Sequence, residues 1–287
     1  MWWGRGVEFT SSQGEQRYAA LVRVAAETVV GLDFDGVLAP IVDDPSAAHI
    51  HPDAGEVLVG LGAQVLAVAV ITGRPARQAL DLGGLEEVGT AMGDAGKDLY
   101  LFGQYGNERW SSTNRRVIGP RPPHGLASFE GELPRVLRRV DAGEAYVEDK
   151  GLAVAVHTRR LPDAEAAFAR LLPELEALAA RHDLVVEPGR SVIEVRSPGS
   201  HKGTAVRTIV EELDAGGFLF AGDDLGDLEA FEAVRQLGDD GMPTLLVASS
   251  SDEENALVGL ADVVVPGPAG VLTLLRQLTE DAASLRA

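Results

Sequence analysis

The chain lacks cysteine altogether among its 287 residues, which excludes disulfide bonds and catalysis by a thiol. A cysteine-free composition fits a reducing compartment, so we expect a cytoplasmic location. No run of eighteen apolar residues occurs, and we therefore expect no membrane span. Residues 1–16 also lack a basic segment followed by an apolar one, so they do not predict a signal peptide.

Positive charge is scarce. The chain has 25 lysines and arginines against 44 acidic residues, a formal net charge of −19. Nucleic acids and anionic membranes are bound through Lys and Arg, so we expect neither as a partner. A small phosphate can still bind an acidic protein where a metal ion or a local lysine reverses the field. The length suggests one large domain or two.

Short apolar strands alternate with helices at both ends of the chain, a pattern typical of parallel βαβ units. The predicted strands are 29–34, 65–73, 98–106, 217–224, 243–250 and 261–265. The predicted helices are 15–28, 53–63, 201–213, 225–237 and 270–285.

The middle of the chain has a different pattern. A loop rich in Arg and Pro (112–125) precedes a helix interrupted by Pro134, a long helix at 163–183 and two alternating hairpins. The hairpins are predicted to turn near Gly151 and at Pro188-Gly189. We therefore predict an α/β fold, in which a Rossmann-like core with a parallel sheet is split by an inserted α+β domain. The predicted boundaries are 1–110 and 198–287 for the core and 111–197 for the insert.

Four polar clusters fall at the ends of buried strands or at helix starts nearby. They are Asp33 with Asp35, Thr72 with Gly73 and Arg74, Lys202, and Asp223 with Asp224 and Asp227. Ligands of a parallel sheet bind beyond the carboxyl ends of its strands, so these clusters are expected to form one site. Asp33 and Asp35 project to the same side of the strand and repel each other. Mg²⁺, which prefers carboxylate and phosphate oxygens, would relieve that repulsion, whereas six histidines without metal-type spacing do not favour zinc.

These motifs, in this order, resemble those of the haloacid dehalogenase (HAD) superfamily of aspartyl-phosphate phosphatases, and the insert resembles the superfamily's α/β cap. More narrowly, the chain is similar to trehalose-6-phosphate phosphatases. The stretches that carry this resemblance are DFDGVLAPIVDDPSAA, ITGRP, VEDKG, AVHTRR, VIEVRSPGSHKG and AGDDLGD. The resemblance implies a Mg²⁺-dependent phosphatase that hydrolyses trehalose 6-phosphate, with a small sugar phosphate as its binding partner.

The resemblance also implies roles for single residues of the core. Asp33 would be the nucleophile, and Asp35 the general acid and then the general base. Lys202 and Thr72 would assist catalysis at the phosphoryl group. The implied metal ligands or their neighbours are Asp33, Asp35, Asp223, Asp224 and Asp227. The implied phosphate-binding residues are Asp33, Asp35, Thr72, Gly73, Arg74 and Lys202.

In the insert, the resemblance implies that the cap closes over the sugar and binds its hydroxyls. The implied substrate residues are Glu148, Lys150, Glu194, His157 and Arg159. The chain departs from the family pattern at Thr158, where Tyr is usual, at Tyr105, where His is frequent, and at Val37, where Thr is usual.

Each motif, taken alone, also has a purely structural interpretation. An acidic pair can cap a helix, Thr72-Gly73 can be an ordinary turn, and charges on the outward face of an alternating strand are commonly solvated. The order of all four core motifs favours catalysis. The alternatives left open are a HAD phosphatase for another sugar phosphate, a sugar phosphomutase, and a regulatory protein without catalysis.

Overall fold

The computed structural model describes residues 8–42, 44–189, 191–199, 201–250 and 257–286. Residues 1–7, part of the segment that does not predict a signal peptide, lie outside these ranges. Within them, no helix is long and apolar enough to cross a membrane.

The chain divides into two compact units. One runs up to Ile118 and resumes at His201, and the other comprises residues 119–200. The first boundary therefore lies eight residues beyond the predicted end of the first core segment at 110, because a short extra strand and the loop after it belong to the core unit.

The core unit contains eight strands and seven helices among the described residues. Its strands are β1 (Glu8–Phe9), β2 (Thr28–Leu32), β3 (Ala67–Ile71), β4 (Leu99–Gly103), β5 (Glu108–Ser111), β10 (Gly217–Gly222), β11 (Thr244–Ser250) and β12 (Val263–Pro266). Its helices are α1 (Ser12–Arg23), α2 (Ala54–Gly62), α3 (Ala76–Gly83), α4 (Leu85–Asp94), α7 (Lys202–Leu213), α8 (Leu228–Asp239) and α9 (Gly267–Arg286).

The eight strands form one sheet in the order β1-β12-β11-β10-β2-β3-β4-β5. All neighbours are parallel except the outermost pairs β1–β12 and β4–β5. Apolar side chains fill both faces of this sheet, with Leu58 and Leu275 in one core and Ile209 and Phe231 in the other. The prediction of an α/β fold with a parallel core sheet is confirmed.

The order of the strands also locates a binding crevice. From β2 the chain proceeds to β3 and β4 on one side, whereas β10, β11 and β12 lie on the other. In such sheets, ligands bind beside the carboxyl ends of the strands where the order reverses. The carboxyl ends of β2, β3 and β10 are therefore the expected position of a site.

The inserted unit is an antiparallel sheet with two helices. Its strands β6 (Tyr146–Asp149), β7 (Ala153–His157), β8 (Val185–Gly189) and β9 (Val192–Arg196) are ordered β6-β7-β9-β8. Helices α5 (Leu126–Arg139) and α6 (Ala164–Ala180) share an apolar core with one face of this sheet, where Phe129 and Leu171 pack with Val154 and Ile193.

Two local predictions for this unit were wrong. Pro134 does not interrupt α5, because it lies on the exposed side of the helix, where water can satisfy the carbonyl that loses its partner. Pro188 and Gly189 do not form the turn. Both lie in β8, where they pair with Ile193 and Val192 of β9. β8 is an edge strand, where a proline without an N–H is tolerated. The turn at Gly151 was predicted correctly, and its φ is +78°.

Candidate active site

The site is formed at the carboxyl ends of three neighbouring strands of the core sheet. Asp33 follows β2, Thr72 follows β3 and Asp223 follows β10. Lys202 is the first residue of α7. The apolar strands bring these polar residues to one edge of the sheet, since side chains within the strands are needed for the two cores.

A buried lysine lies between two buried carboxylates. Nζ of Lys202 is 2.7 Å from Oδ1 of Asp33 and 2.7 Å from Oδ1 of Asp227. All three side chains are at most 5% exposed. Burial alone would lower the pKa of Lys202, but Asp227 and Asp33 raise it well above its usual value. Lys202 is therefore a permanent cation at the site.

One lysine does not balance the negative charge of this cluster. Carboxylate oxygens of Asp33, Asp223 and Asp227 all lie within 4.8 Å of one another. Burial raises the pKa of Asp33 well above its usual value, and Asp227 and Asp35 raise it further, against the opposing effect of Lys202. Burial, together with Asp33 and Asp227, raises the pKa of Asp223 to about 10. With only these groups present, the raised pKa values of Asp33 and Asp223 favour the protonated forms of these two side chains.

The donor set fits Mg²⁺. The contact of Lys202 with Asp33 lacks hydrogen-bond geometry, so the buried Oδ1 of Asp33 accepts no hydrogen bond from any described residue. Asp227, by contrast, accepts hydrogen bonds at both oxygens, from Lys202 and from the amide of Asp223. The carboxylates best available to a hard cation are therefore those of Asp33 and Asp223. Asp227 lies beside them and holds Lys202 and the backbone of Asp223 through its hydrogen bonds.

A glycine allows two chain segments to approach at this point. Gly36 has a φ of +69°, and a Cβ built on it would lie 2.0 Å from Oδ2 of Asp223. Its carbonyl accepts a hydrogen bond from Oγ of Ser249 at 2.6 Å. Only glycine fits between the turn after β2 and the Asp223 carboxylate.

The turn after β3 is held by residues that the sequence did not reveal as part of the site. Gln104 donates its amide to the carbonyl of Arg74, Tyr105 donates to that of Thr72, and Glu108 accepts from the amide of Ala76 at 2.6 Å. Gln104 and Tyr105 both have positive φ values, 46° and 59°. The ring of Tyr105 lies beside Gly73, where a Cβ would be 2.9 Å from its hydroxyl. Positive φ at two non-glycine residues leaves no trace in a sequence pattern.

Asp35 and Arg74 face each other rather than the lysine. Nε and Nη2 of Arg74 donate to the two carboxylate oxygens of Asp35, each at 2.7 Å. The resemblance implies that Asp35 reaches the metal through its backbone carbonyl and that Arg74 binds the phosphate. Both roles stay predictions, and the structure adds the contact between the Arg74 guanidinium and the Asp35 carboxylate. The side chain of Asp35 lies outside the cluster of three carboxylates.

Asp224 also lies apart from that cluster. It is exposed, and its carboxylate accepts from the amide of Gly226 at 2.9 Å, which caps the 3-10 turn Leu225–Asp227. Its direct contact with a metal stays a prediction, while the structure gives it a local role in shaping the turn that carries Asp227.

Four of the five predicted substrate residues of the insert lie on one sheet or at its rim and pair with one another. Nζ of Lys150 is 2.5 Å from Oε2 of Glu194, and Nε2 of His157 is 3.0 Å from Oε2 of Glu148. Across the sheet, Glu148, Ala155 and Glu194 occupy directly opposed positions in β6, β7 and β9, and therefore share one face. The small Ala155 separates the two carboxylates.

The remaining residues of this face and its neighbourhood differ in position. Tyr146, which the sequence analysis did not select, opposes His157, with ring centroids 5.4 Å apart. Arg159 is exposed, two residues beyond the end of β7. Thr158, at the departure from the family pattern, is fully buried and bonds to the carbonyl of Ser191.

Comparison with known proteins gives the same picture in sequence and in structure. The family model described as Trehalose-phosphatase matches residues 134–262. A trehalose-phosphate phosphatase of Mycobacterium tuberculosis is 30% identical over 272 residues, covering 92% of this chain and 65% of the relative. The C-terminal domain of the trehalose-6-phosphate phosphatase of C. albicans superposes with a TM-score of 0.74 at 20% identity, covering 96% of this chain and 99% of that one. A haloacid dehalogenase-like hydrolase of Bacteroides thetaiotaomicron shares the fold, with a TM-score of 0.60, 14% identity and coverage of 88% and 99%.

The chain is similar in sequence to trehalose-phosphatases and shares its fold with trehalose-6-phosphate phosphatases and a haloacid dehalogenase-like hydrolase.

The relationship extends to longer proteins. A glycosyl hydrolase of Mycobacterium tuberculosis, described as uncharacterised, is 35% identical over 236 residues, which make up 78% of this chain and only 17% of the relative. The chain thus spans less than two thirds of the length of these M. tuberculosis relatives.

Proposed function

We propose that this chain is a Mg²⁺-dependent phosphatase that hydrolyses trehalose 6-phosphate to trehalose and phosphate. The observation that carries the proposal is the buried pairing of Asp33 with Lys202 beside Asp223 and Asp227. A carboxylate that attacks an anionic phosphate needs cations around it, and this one lies against a lysine within an oxygen-donor cluster. The relationship to trehalose-phosphatases supports the choice of substrate.

In the first step, a carboxylate oxygen of Asp33 attacks the phosphorus, and the bond from phosphorus to the sugar oxygen breaks. Asp35 donates a proton to that departing oxygen, so trehalose leaves as a neutral alcohol. The products of this step are trehalose and a phosphoryl group bound covalently to Asp33. Lys202 stabilises the negative charge on the phosphoryl oxygens, and the hydroxyl of Thr72 and the amide of Gly73 are proposed to donate hydrogen bonds to them.

In the second step, Asp35, now ionised, takes a proton from a water molecule whose oxygen attacks the phosphorus. The bond between phosphorus and Asp33 breaks, which releases inorganic phosphate and restores both aspartates. Mg²⁺, held by the carboxylates of Asp33 and Asp223, would supply the positive charge that Lys202 alone does not provide.

We propose that the sugar is recognised by the polar face of the inserted unit's sheet (the cap sheet), which carries Glu148, Ala155 and Glu194. Carboxylates accept hydrogen bonds from sugar hydroxyls, and the Lys150 ammonium donates to them. Glu148 and Glu194 flank Ala155, so the two carboxylates lie on either side of a small side chain on that face. His157 and Arg159 are proposed to contribute further donors beside them. A cytoplasmic location remains a prediction from composition.

The experiment that tests this proposal is a phosphate-release screen with Mg²⁺ on trehalose 6-phosphate and a panel of monosaccharide phosphates. We expect stoichiometric trehalose and phosphate from trehalose 6-phosphate, and loss of both on chelation. Turnover of several monosaccharide phosphates without turnover of this disaccharide would replace the substrate. An isomeric sugar phosphate without free phosphate would identify a mutase, and binding without turnover would identify a regulatory protein.

A further inference from the structure

The guanidinium group of Arg74 donates three hydrogen bonds to other residues of the core unit. Its side chain is 9% exposed. Nε and Nη2 donate to the two oxygens of Asp35, and Nη1 donates to the carbonyl of Pro45 at 2.8 Å. All three guanidinium nitrogens therefore bond to the protein itself.

The arginine is also fixed along its length. Its backbone amide donates to Oγ1 of Thr72 at 3.1 Å, and its guanidinium carbon lies 5.4 Å from the centre of the Phe34 ring. The side chain thus joins three segments: the turn after β3, the residues after β2, and the 3-10 turn Pro45–Ala47. An arginine held at this many points is pre-organised.

The partner of this arginine would otherwise be mobile. The Asp35 side chain is 39% exposed, and an exposed carboxylate samples several rotamers. A two-pronged contact to a planar guanidinium fixes both the direction of the carboxylate and the rotation of its plane. The carboxylate is aimed by Arg74 while part of it remains open to solvent and ligands.

We infer that Arg74 is a positioning residue that acts through Asp35, rather than a ligand of the transferred phosphate. The inference rests on the proposed function, in which Asp35 gives a proton to the departing sugar oxygen. Arg74 holds the Asp35 carboxylate in the orientation from which that proton is delivered. Its removal leaves the nucleophile, Lys202 and the metal ligands in place but misdirects the proton donor.

The test compares two leaving groups. A sugar alkoxide needs a proton to depart, whereas the nitrophenolate of p-nitrophenyl phosphate departs without one. The value of kcat/KM covers only the steps up to that departure, so the later attack of water does not enter. In Arg74→Ala we expect kcat/KM on trehalose 6-phosphate to fall about 10²-fold, the effect of misplacing a catalytic group. On p-nitrophenyl phosphate we expect a loss of less than about threefold, since proton transfer is not required there.

A double-mutant comparison locates the effect. If Arg74 acts only through Asp35, the Asp35→Asn/Arg74→Ala protein has the same kcat/KM on trehalose 6-phosphate as Asp35→Asn alone. Addition of guanidinium chloride at millimolar concentration is expected to restore part of the activity of Arg74→Ala but none of that of Asp35→Asn. Arg74→Lys, which keeps the charge without the two-pronged contact, is expected to lie between wild type and Arg74→Ala. It also serves as the second variant if Arg74→Ala does not fold.

Two results would overturn the inference. An equal loss on both substrates, with a weaker inhibition constant for inorganic phosphate, would make Arg74 a phosphate ligand. Losses that add in the double mutant would separate Arg74 from Asp35. Failure of the substrate assignment is distinguishable, because the wild-type protein would then release phosphate from p-nitrophenyl phosphate and not from trehalose 6-phosphate. The same comparison would then use whichever sugar phosphate the wild type hydrolyses.

Discussion

The core site and the polar face of the cap treat charge in opposite ways. In the core, three buried carboxylates share a single lysine, and burial, together with repulsion between the carboxylates, raises the pKa values of Asp33 and Asp223. In the cap, each of the two carboxylates contacts a basic side chain: Glu194 contacts Lys150, and Glu148 contacts His157. Acidic groups outnumber basic ones in the core, whereas the cap pairs them one to one.

The difference indicates what each region is for. Ionised carboxylates in excess of the single lysine cost stability, and either protonation or a bound cation relieves that cost. Phosphoryl transfer also requires a cation. The paired groups of the cap's polar face can exchange partners for the hydroxyls of a neutral sugar. We therefore propose that the core performs the chemistry and that the cap selects the sugar.

The largest expected effect comes from the nucleophile. Asp33→Asn removes the attacking carboxylate, so we expect phosphate release from trehalose 6-phosphate to fall by at least about 10³-fold. The control is Asp53→Asn, an exposed aspartate of the core unit paired with Arg276, which should retain full activity. Residual activity above a few per cent in Asp33→Asn would contradict the assignment of the nucleophile.

The next effect concerns Lys202. Lys202→Met keeps the volume but leaves buried carboxylates without their cation, so we expect a loss of about 3–5 kcal/mol in the free energy of unfolding without metal. Activity should fall by more than about 10²-fold even with saturating Mg²⁺. Chemical denaturation and phosphate release measure the two effects. A variant as stable and as active as wild type would show that the buried carboxylates do not depend on the positive charge of Lys202.

The third prediction concerns the pH dependence of stability without metal. Because the pKa of Asp223 is raised in the folded protein from 3.8 to about 10, the folded state holds its proton more tightly than the unfolded state does. The stabilisation from this group is therefore complete below about pH 4 and is lost as the pH rises toward 10. In EDTA, we expect the Tm to fall from pH 6 to pH 9 more steeply in wild type than in Asp223→Asn.

Addition of Mg²⁺ supplies the matching control. Metal binding to these carboxylates displaces protons, so the Tm gain from Mg²⁺ should increase with pH in wild type and be small in Asp223→Asn. Equal pH slopes in the two metal-free proteins would contradict the charge deficit in the core.

The smallest expected effect concerns the paired charges of the cap. Lys150 and Glu194 are 14% and 7% exposed, so Lys150→Met should lower the free energy of unfolding by about 1–3 kcal/mol, the cost of an unpaired buried group. The control is Glu174→Gln, which breaks an exposed pair with Arg139 in the same unit and should change stability by less than about 0.5 kcal/mol. Equal effects in the two variants would place the Lys150–Glu194 pair among ordinary surface pairs.

Much of the core was predictable from the sequence because each apolar strand and the polar residue that follows it are adjacent in the chain. A buried apolar run that ends in Asp33 or in Asp223 has few interpretations, and the parallel topology then brings those ends together. Helices α3 and α4 were not predicted, since Gly83, Gly84, Gly89 and Gly93 weaken the helical signal across residues 76–94.

The sequence did not predict which groups the charged side chains of the site and the cap contact. The sequence identifies Arg74 as a cation near the site, but a long side chain can reach phosphate, metal ligand or backbone, and only the structure gives its contact with Asp35. In the cap, alternation predicted the strands but not which charges share a face, because that depends on the register between strands distant in sequence. The turn at Pro188-Gly189 was misassigned because the pattern does not reveal that β8 is an edge strand.

The division between chemistry and selection is tested most directly by one ratio, kcat/KM on trehalose 6-phosphate divided by kcat/KM on glucose 6-phosphate. The two substrates share the same kind of scissile bond and differ in the second sugar. We predict that Glu194→Gln lowers this ratio at least about tenfold, the cost of leaving a substrate hydroxyl without its charged partner, while Arg74→Lys lowers both rates and leaves the ratio unchanged. A ratio that is unchanged in Glu194→Gln, or that falls in Arg74→Lys, would contradict the account.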